Sequence, residues 1–591
     1  MRNQVKTAAA NPGAAPGSGS SPEIPRWIVL LGLTLMVFVV SAGVYAGFRA
    51  DPGLASSSDT IQQTVEDGPS FDLKQPGFGD LAPAGAQFYR ANDFQTVWFY
   101  GNALTSRAQE LIAALADARR WGLNPDRYGA VMLQQWRDQH EDIWVNPPTT
   151  AERGQFDVAL TAAGMRLARD LRFGQHNPGV YVPSDLQAGA PIVDLFRTEI
   201  LEISDLQEGL QALQPPHAEY WRTLDALARY RKIARENRDL PQPPEITETI
   251  EAGDFWMGAS DVAAVLKATG DLNSSEYLST LEAGSIGTYT SALAAGVKRF
   301  QQRHGLEPDG RIGKETIAAL RVPLPQRVQQ LELALERWRW LPREFPRAPL
   351  IVNIPEFQLR VMQGPNLDEA AWKTRVIDGM ARGHQTPILS DEMEYLIFGP
   401  YWNVPTSITR DELAPKIEAD AAYLRDHHYE VVTREGIVVT DTAVDKETLG
   451  ELRDGSLLLR QKPGPGNALG GVKFVFPNPD DIFLHDTPTK NLFERARRDF
   501  SHGCIRVQHP DELAEWVLRT DGQMEPDGEW TNSLVEEEMH RTSEKVVKLK
   551  NHIPVLVVYQ TAHVTADGEV EFFGDIYGRD KQLADELSAG N

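Results

Sequence analysis

The residues best suited to chemistry lie together in the stretch Ser501-His502-Gly503-Cys504-Ile505-Arg506-Val507. Cys504 is the only cysteine among 591 residues, so it cannot form a disulfide within the chain and is a poor start for a metal site. It is either a buried bystander or a reactive thiol. Its neighbours favour the thiol, because Gly503 allows close approach of a substrate, and because His502 and Arg506 favour the charged thiolate.

A nucleophilic cysteine needs a base within hydrogen-bond reach, and two histidines are candidates. His485 ends the apolar run Ile482-Phe483-Leu484-His485, which predicts a strand. His502 is closer in sequence and, if the backbone is extended, points to the same side as Cys504. The base in turn needs a group that orients it. Three candidates are a backbone carbonyl near Asp486-Thr487, the Asp486 side chain and Ser501.

Two further groups fit around a thiolate nucleophile. Arg506 lies on the same side as Cys504 if the segment is a strand, where it can bind a substrate carboxylate or stabilise the thiolate. A structural ion pair is an equally good interpretation of this arginine. The backbone N–H groups of Gly503 and Cys504 are candidates for an oxyanion hole.

The motif Ser-His-Gly-Cys-Ile-Arg-Val, preceded by His485 in Phe-Leu-His-Asp-Thr-Pro, resembles the active-site signature of the L,D-transpeptidases. These are cysteine enzymes that crosslink bacterial peptidoglycan. The resemblance implies that His485 is the base and that Cys504 forms a thioester. The acyl donor would be a tetrapeptide stem, attacked at its third, diamino-acid residue with release of the terminal D-alanine. The acceptor would be the side-chain amine of a second stem, which gives a 3→3 crosslink.

The same resemblance implies acylation by carbapenem antibiotics and no cofactor or metal. Ser501, His502 and Arg506 are then expected to contact substrate, with Tyr401-Trp402-Asn403 along the donor groove. A plain core role for Trp402 is at least as good an interpretation.

Composition sets limits on the other functions. Lys+Arg 59 against Asp+Glu 83 leaves a net charge of −24, which disfavours nucleic-acid binding through phosphates. Residues 27–48 carry no charge and are long enough to span a bilayer, after a basic, disordered tail at residues 1–26. They predict an uncleaved single-pass anchor in the inner membrane, with the body in the periplasm or otherwise outside the cytoplasm. A cleaved signal peptide is the alternative.

The rest of the chain divides into regions of different pattern, which together predict a multidomain α+β protein. Residues 297–306, with 309–313 and Thr316, resemble the three-helix peptidoglycan-binding domain, although a plain structural spacer has the same pattern. Short apolar strands dominate residues 346–580, and the family resemblance implies a β-sandwich there. The predicted order is a linker at 49–85, a helical scaffold at 86–250, the peptidoglycan-binding module at 251–325, a linking helix at 326–345, the catalytic domain at 346–580 with a capping insert at 408–450, and a tail at 581–591.

Three other functions compete with transpeptidation. Release of the acyl-enzyme by water would make the protein an L,D-carboxypeptidase. A zinc peptidase could use His485, His502 and Cys504, but the chain lacks His-Glu-x-x-His and paired Cys-x-x-Cys spacing. A non-catalytic wall-binding scaffold is also possible, and the intact set of Cys504, His485 and Arg506 argues against it.

Overall fold

The computed structural model describes residues 56–67, 79–182, 190–281, 287–367, 369–524 and 528–589. The predicted tail at 1–26 and the predicted membrane anchor at 27–48 lie outside these ranges. Within the described ranges, no helix is both long enough and apolar enough to cross a bilayer. Part of the predicted linker is folded, because Ser57–Asp67 forms a helix whose Ile61 is fully buried in the scaffold core.

The first domain is a bundle of helices around one apolar core. Its central helix, Thr150–Phe173, is buried on most sides and starts with a capping box between Thr149 and Glu152. A short hairpin, β1 (Phe99–Tyr100) with β2 (Ala103–Leu104), lies beside it. The helices are α1 (Ser57–Asp67), α2 (Ala82–Ala91), α3 (Ser106–Ala116), α4 (Ala130–Gln139), α5 (Thr150–Phe173), α6 (Ala190–Phe196), α7 (Leu206–Leu213) and α8 (Ala218–Glu236).

A small helical module follows and is fixed to its neighbours. It comprises α9 (Ala259–Thr269), α10 (Ser274–Thr280), α11 (Ser291–Gln302) and α12 (Lys314–Leu320). Arg303 is buried, forms an ion pair with Asp271 inside the module and donates to the Val570 carbonyl outside it at 3.3 Å. The Phe572 amide donates to the Arg303 carbonyl at 2.9 Å. These contacts fix the module against the C-terminal part of the catalytic region.

One helix, α13 (Leu324–Trp338), packs against both the scaffold and the catalytic region. Leu331, Leu335 and Trp338 pack in one apolar cluster with α8 of the scaffold and with strands of the catalytic region. Because α13 is buried on several sides, it is a structural element of the body rather than a flexible connection.

The catalytic region is built on one large sheet that closes on itself. Its order is β13-β5-β14-β12-β11-β6-β15-β3-β4, and β4 also pairs with β5. Eight strands therefore form a closed ring around an apolar core, and β13 is added at the outer side of β5. The expected two-sheet sandwich is in this structure a single closed sheet.

The strands of this region and of its insert are β3 (Leu350–Asn353), β4 (Gln358–Met362), β5 (Ala370–Gly379), β6 (Leu389–Phe398), β7 (Trp402–Asn403), β8 (Tyr429–Val432), β9 (Val438–Thr440), β10 (Leu458–Gln461), β11 (Val472–Val475), β12 (Leu484–His485), β13 (Asp499–Ser501), β14 (Ile505–Val507), β15 (Lys545–Val558), β16 (Ala562–Val564) and β17 (Val570–Phe572).

The insert has its own sheet and its own core. Strands β7-β10-β8-β9 form a four-stranded sheet, covered by apolar residues such as Leu424, Val431 and Leu452. This subdomain runs from Trp402 to Gln461, wider than the predicted 408–450, because the flanking strands β7 and β10 complete its sheet. Its helices are α14 (Thr406–Ile408), α15 (Ala414–Ala419), α16 (Tyr423–Asp426) and α17 (Lys446–Asp454), with a π-helical segment at Thr409–Leu413.

Three helices complete the catalytic region: α18 (Pro510–Thr520), α19 (Asn532–Met539) and α20 (Arg579–Ala589). Helix α18 packs Leu513, Ala514 and Val517 against the core of the closed sheet, directly after the strand that follows the cysteine. Strand β14 is therefore fixed by its two neighbours in the sheet and by helix α18.

The buried ion pair of the module gives a stability prediction. Asp271→Asn should lower the free energy of opening of the module by about 3–5 kcal/mol, because Arg303 would keep its charge inside the protein without a counter-ion. Hydrogen exchange of the module amides measures this locally, apart from the other domains. The matched control is Glu251→Gln, which breaks the exposed pair with Arg311 and should cost less than about 1 kcal/mol. Equal effects of the two changes would contradict the prediction.

Candidate active site

Cys504 lies on the connection between two strands that flank the same neighbour. Strand β13 pairs with β5 in parallel, while β14 pairs with its other edge in antiparallel orientation. Residues 502–504 cross from one edge to the other and are not in a strand, and Gly503 has φ 121 in the turn. The assumption of a continuous extended segment is therefore wrong, because the chain has to turn sharply to change edges.

The Ser501 side chain holds this turn together. Its hydroxyl is buried, donates to the Cys504 carbonyl at 2.6 Å and accepts from the Gly503 amide at 3.1 Å. Ser501 is thus a positioning residue, and the Gly503 N–H, a predicted oxyanion donor, already donates to its hydroxyl. Thr386 adds a further hold, since its hydroxyl donates to the Gly503 carbonyl at 2.8 Å.

His485 is oriented by a backbone carbonyl, the first of the three candidates. The imidazole is 4% exposed, and its Nδ1 lies 2.5 Å from the Asp486 carbonyl oxygen. With Nδ1–H donating there, Nε2 carries the lone pair and can accept a proton. The Asp486 side chain is used elsewhere, because it accepts from the Gly471 and Thr487 amides and from the Lys490 ammonium.

The thiol and the imidazole are both neutral at rest. Burial raises the pKa of the Cys504 thiol to about 11, opposed in part by the nearby Lys473 and Arg506 charges. Burial, followed by the Arg506 charge, lowers the pKa of His485 to about 3. In this state the thiol contacts the Asp481 carbonyl at 3.6 Å. Hydrogen bonds between a nucleophile and its base are often absent before substrate binds, so this resting contact does not exclude His485 as the base.

His502, the rival base, faces the insert instead. Its Nε2 lies 2.5 Å from Glu412 Oε1 in the π-helical segment, and its ring packs edge-on against His384 at 4.6 Å. A nitrogen occupied by a carboxylate is poorly placed to take a proton from Cys504, so the geometry favours His485 as the base. Sequence analysis did not identify Glu412 or His384, because contacts across an insert leave no local signal.

A cleft of about 1040 Å³ lies over these residues, between the closed sheet and the insert. Cys504, His485, His502, Ser501 and Arg506 all line it, together with Trp402 and Asn403. Trp402 also packs on the core of the insert, so the two interpretations of this tryptophan both hold. Tyr401 does not line the cleft: its ring lies under the Arg460 guanidinium at 4.2 Å, which corrects its predicted place in the groove.

Two cations flank His485 on the cleft side. Arg506 of β14 is in register with His485 on β12, and Lys473 of β11 is in register with His485 from the other side. Burial lowers the pKa of both cations. The Arg506 Nε is buried and has no hydrogen-bond partner within the part of the chain that the structure describes. Lys473 was not identified from the sequence, where it is one lysine in an apolar strand.

The zinc alternative needs His485, His502 and Cys504 to converge. In the described ranges, no three His, Cys, Asp or Glu side chains are grouped as the ligands of a metal ion are. His485 and His502 instead point to the Asp486 carbonyl and to Glu412.

Comparison with known families agrees with this geometry. Residues 348–537, which include the turn, the base and the insert, match the model of the L,D-transpeptidase catalytic domain. Over these residues the chain is similar to the L,D-transpeptidases. Residues 84–227 match a family described as "Scaffold domain", and residues 263–320 match a "Putative peptidoglycan binding domain".

A curated relative extends the comparison. A Haemophilus influenzae protein named "Putative L,D-transpeptidase" is 30% identical over 284 residues, which are 47% of this chain and 54% of the relative. The chain thus spans about half the length of that relative.

The neutral dyad gives a prediction on reactivity. Alkylation of Cys504 by iodoacetamide, which needs the thiolate, should still be accelerating above pH 9, because burial raises the pKa of this thiol. Cys504 is the only cysteine, so the mass of the intact protein reports its modification directly. The urea-unfolded chain is the control and should titrate near an ordinary thiol pKa of about 8.5. A folded-state rate that levels off below pH 7 would show a resting thiolate instead.

Proposed function

We propose that this protein is an L,D-transpeptidase that forms 3→3 crosslinks in peptidoglycan through a Cys504 thioester. The observation that carries the proposal is the placement of the thiol on a rigid turn, beside a buried neutral histidine with a fixed tautomer, in a peptide-sized cleft. The match of residues 348–537 to the L,D-transpeptidase catalytic domain supports the reaction class.

In the first half-reaction, the Cys504 Sγ attacks the carbonyl carbon of the third residue of a tetrapeptide stem. The thiol proton passes to Nε2 of His485 as the S–C bond forms. The C–N bond to the terminal residue then breaks, and the proton on Nε2 goes to the departing amine of D-alanine. The Cys504 N–H is the donor that this proposal assigns to the oxyanion, since the Gly503 N–H is used by Ser501.

In the second half-reaction, the side-chain amine of another stem attacks the thioester. The S–C bond breaks, a new amide forms, and the amine proton returns through His485 to Sγ. One peptide bond is exchanged for another, so the step needs no oxidant, reductant or external energy source. Attack by water on the same thioester would make the protein an L,D-carboxypeptidase.

The remaining regions fit a role at the cell wall. We propose that the module at residues 263–320 binds peptidoglycan, that residues 27–48 anchor the chain in the cytoplasmic membrane, and that the body works in the periplasm. The insert acts as a cap, since Glu412 reaches from it to His502 beside the nucleophile. Carbapenems are expected to acylate Cys504 covalently.

The proposal is tested by incubating residues 56–591 with a purified disaccharide-tetrapeptide and analysing the products by mass spectrometry. A crosslinked dimer and free D-alanine are expected. Cys504→Ala should abolish both, and His485→Gln should slow their formation at least about 100-fold, as loss of a general base does. A tripeptide without dimer would assign the protein to the carboxypeptidases. No Cys504-dependent product and no carbapenem adduct would leave a wall-binding scaffold.

The turn gives a second prediction for the same assay. Ser501→Ala should slow thioester formation about 10- to 100-fold, because a lost buried hydroxyl costs about 1–3 kcal/mol and the Gly503 amide and Cys504 carbonyl lose their partner. Formation of the acyl-enzyme is followed by the mass of the intact protein. Ser407→Ala is the matched control, since Ser407 lines the same cleft but is exposed and does not contact the turn. If both variants acylate at the wild-type rate, Ser501 does not position the nucleophile.

A further inference from the structure

Three neighbouring strands place a cation, an imidazole and a second cation side by side. Lys473 on β11 is directly opposite His485 on β12, and His485 is directly opposite Arg506 on β14. Residues in register on adjacent strands share a face of the sheet, so all three side chains rise into the same cleft. Two strand spacings separate the backbones of Lys473 and Arg506, which amounts to about 10 Å.

Neither of these cations has a counter-ion within the described ranges of the chain. No ion pair of 4.0 Å or shorter to Lys473 or Arg506 occurs among the described residues. The Lys473 ammonium lies 3.7 Å from the centre of the Phe483 ring, and Asp481 and Glu544 influence it only from beyond contact distance. Three cations of the neighbouring segments are paired, in contrast: Lys490 with Asp486, Arg497 with Asp499, and Arg460 with Glu430.

An unpaired charge in a partly buried cleft is costly unless a ligand supplies its partner. One such cation beside the nucleophile is explained by stabilisation of the thiolate. The second cation, Lys473, lies on the opposite side of His485 and also favours the thiolate, but the resting thiol is neutral and gives neither cation a partner. The contact with Phe483 keeps the Lys473 ammonium at the cleft. The arrangement therefore suits a ligand with two anionic groups, one on each side of the reacting carbonyl.

We propose that Lys473 is a specificity-determining residue that binds one of two carboxylates of the acyl donor, while Arg506 binds the other. This inference rests on the proposed function, which requires a peptide donor in this cleft. Such a donor carries the terminal carboxylate of its leaving residue, and it carries a second one when the side chain of its third residue is itself carboxylated. The enzyme would thus select donors with both carboxylates free and discriminate against those in which either is an amide.

The test compares three donors: both carboxylates free, only the terminal one amidated, and only the side-chain one amidated. For the wild-type protein, each amidation should lower kcat/KM for acylation about 10- to 100-fold, the loss typical of a hydrogen bond to a charged group. Lys473→Met keeps the aliphatic stem over Phe483. With the donor whose carboxylates are both free, the kcat/KM of this variant should be lower than that of the wild type by the same factor. Amidation of the carboxylate that Lys473 binds should then cause no further decrease.

Arg506→Met should no longer discriminate between the free and amidated forms of the other carboxylate. Lys473→Arg keeps the positive charge and should retain part of the kcat/KM that Lys473→Met loses. The matched control is Lys416→Met, because Lys416 lines the cleft from the insert but is exposed and does not lie on the strands that carry Lys473, His485 and Arg506. It should discriminate as the wild type does. The proposal is overturned if Lys473→Met lowers kcat/KM by the same factor for all three donors. It is also overturned if Lys473→Met and Arg506→Met lose discrimination at the same carboxylate.

A binding measurement separates this inference from the proposed function. In a Cys504→Ala background, titration calorimetry with the three donors should give the same pattern in Kd, with Lys473→Met and Arg506→Met each insensitive to a different amidation. Absence of Cys504-dependent product with any donor would refute transpeptidation, while this pattern in Kd would still establish the two carboxylate sites. Donors that bind with equal affinity whether free or amidated would refute the two sites, even if turnover is observed.

Discussion

The active site depends on the two edges of strand β5. Because β13 takes one edge and β14 the other, the chain has to cross the end of β5 within residues 502–504. The backbone of Cys504 is restrained at this crossing, because Ser501 and Ile505 on either side of the turn are fixed by hydrogen bonds of the sheet. The left-handed region of backbone space that Gly503 occupies is the local cost of this connection. The same closed sheet brings His485 to the neighbouring strand, so nucleophile and base are set by one backbone framework.

The electrostatics of the site balance two opposing effects. Burial favours the neutral forms of both the thiol and the imidazole, whereas Lys473 and Arg506 favour the thiolate and disfavour the imidazolium. The resting site therefore holds an uncharged dyad between two cations. A thiol that is protonated at rest is less exposed to oxidation than a thiolate. The thiolate and the imidazolium then form only when a substrate carbonyl is available for attack.

Much of this site could be predicted from the sequence, because its chemistry is concentrated in short motifs. Cys504 and His485 were identified from residue type and spacing, and the helical and strand regions followed from hydrophobic periodicity. The contacts that decide the roles were not accessible in the same way. The role of Lys473 depends on the register of β11 against β12, and that of Glu412 on how the insert folds back over the sheet. The hydrogen bonds of Ser501 within the turn depend on a change of strand edge that the sequence does not reveal. Tyr401 was expected in the groove, but its ring lies under the Arg460 guanidinium.

The buried helix α13 has a consequence for how such a protein can change over evolution. It is packed against scaffold and catalytic strands, and only residues 321–323 separate it from the last helix of the small module. Each residue inserted into an α-helix advances what precedes it by about 1.5 Å and rotates it by about 100°. A single insertion would therefore break the hydrogen bond between the Phe572 amide and the Arg303 carbonyl and rotate the module to another side of the molecule. Length variation should accumulate in surface connections, while α13 retains its residue count as strictly as the strands retain their register.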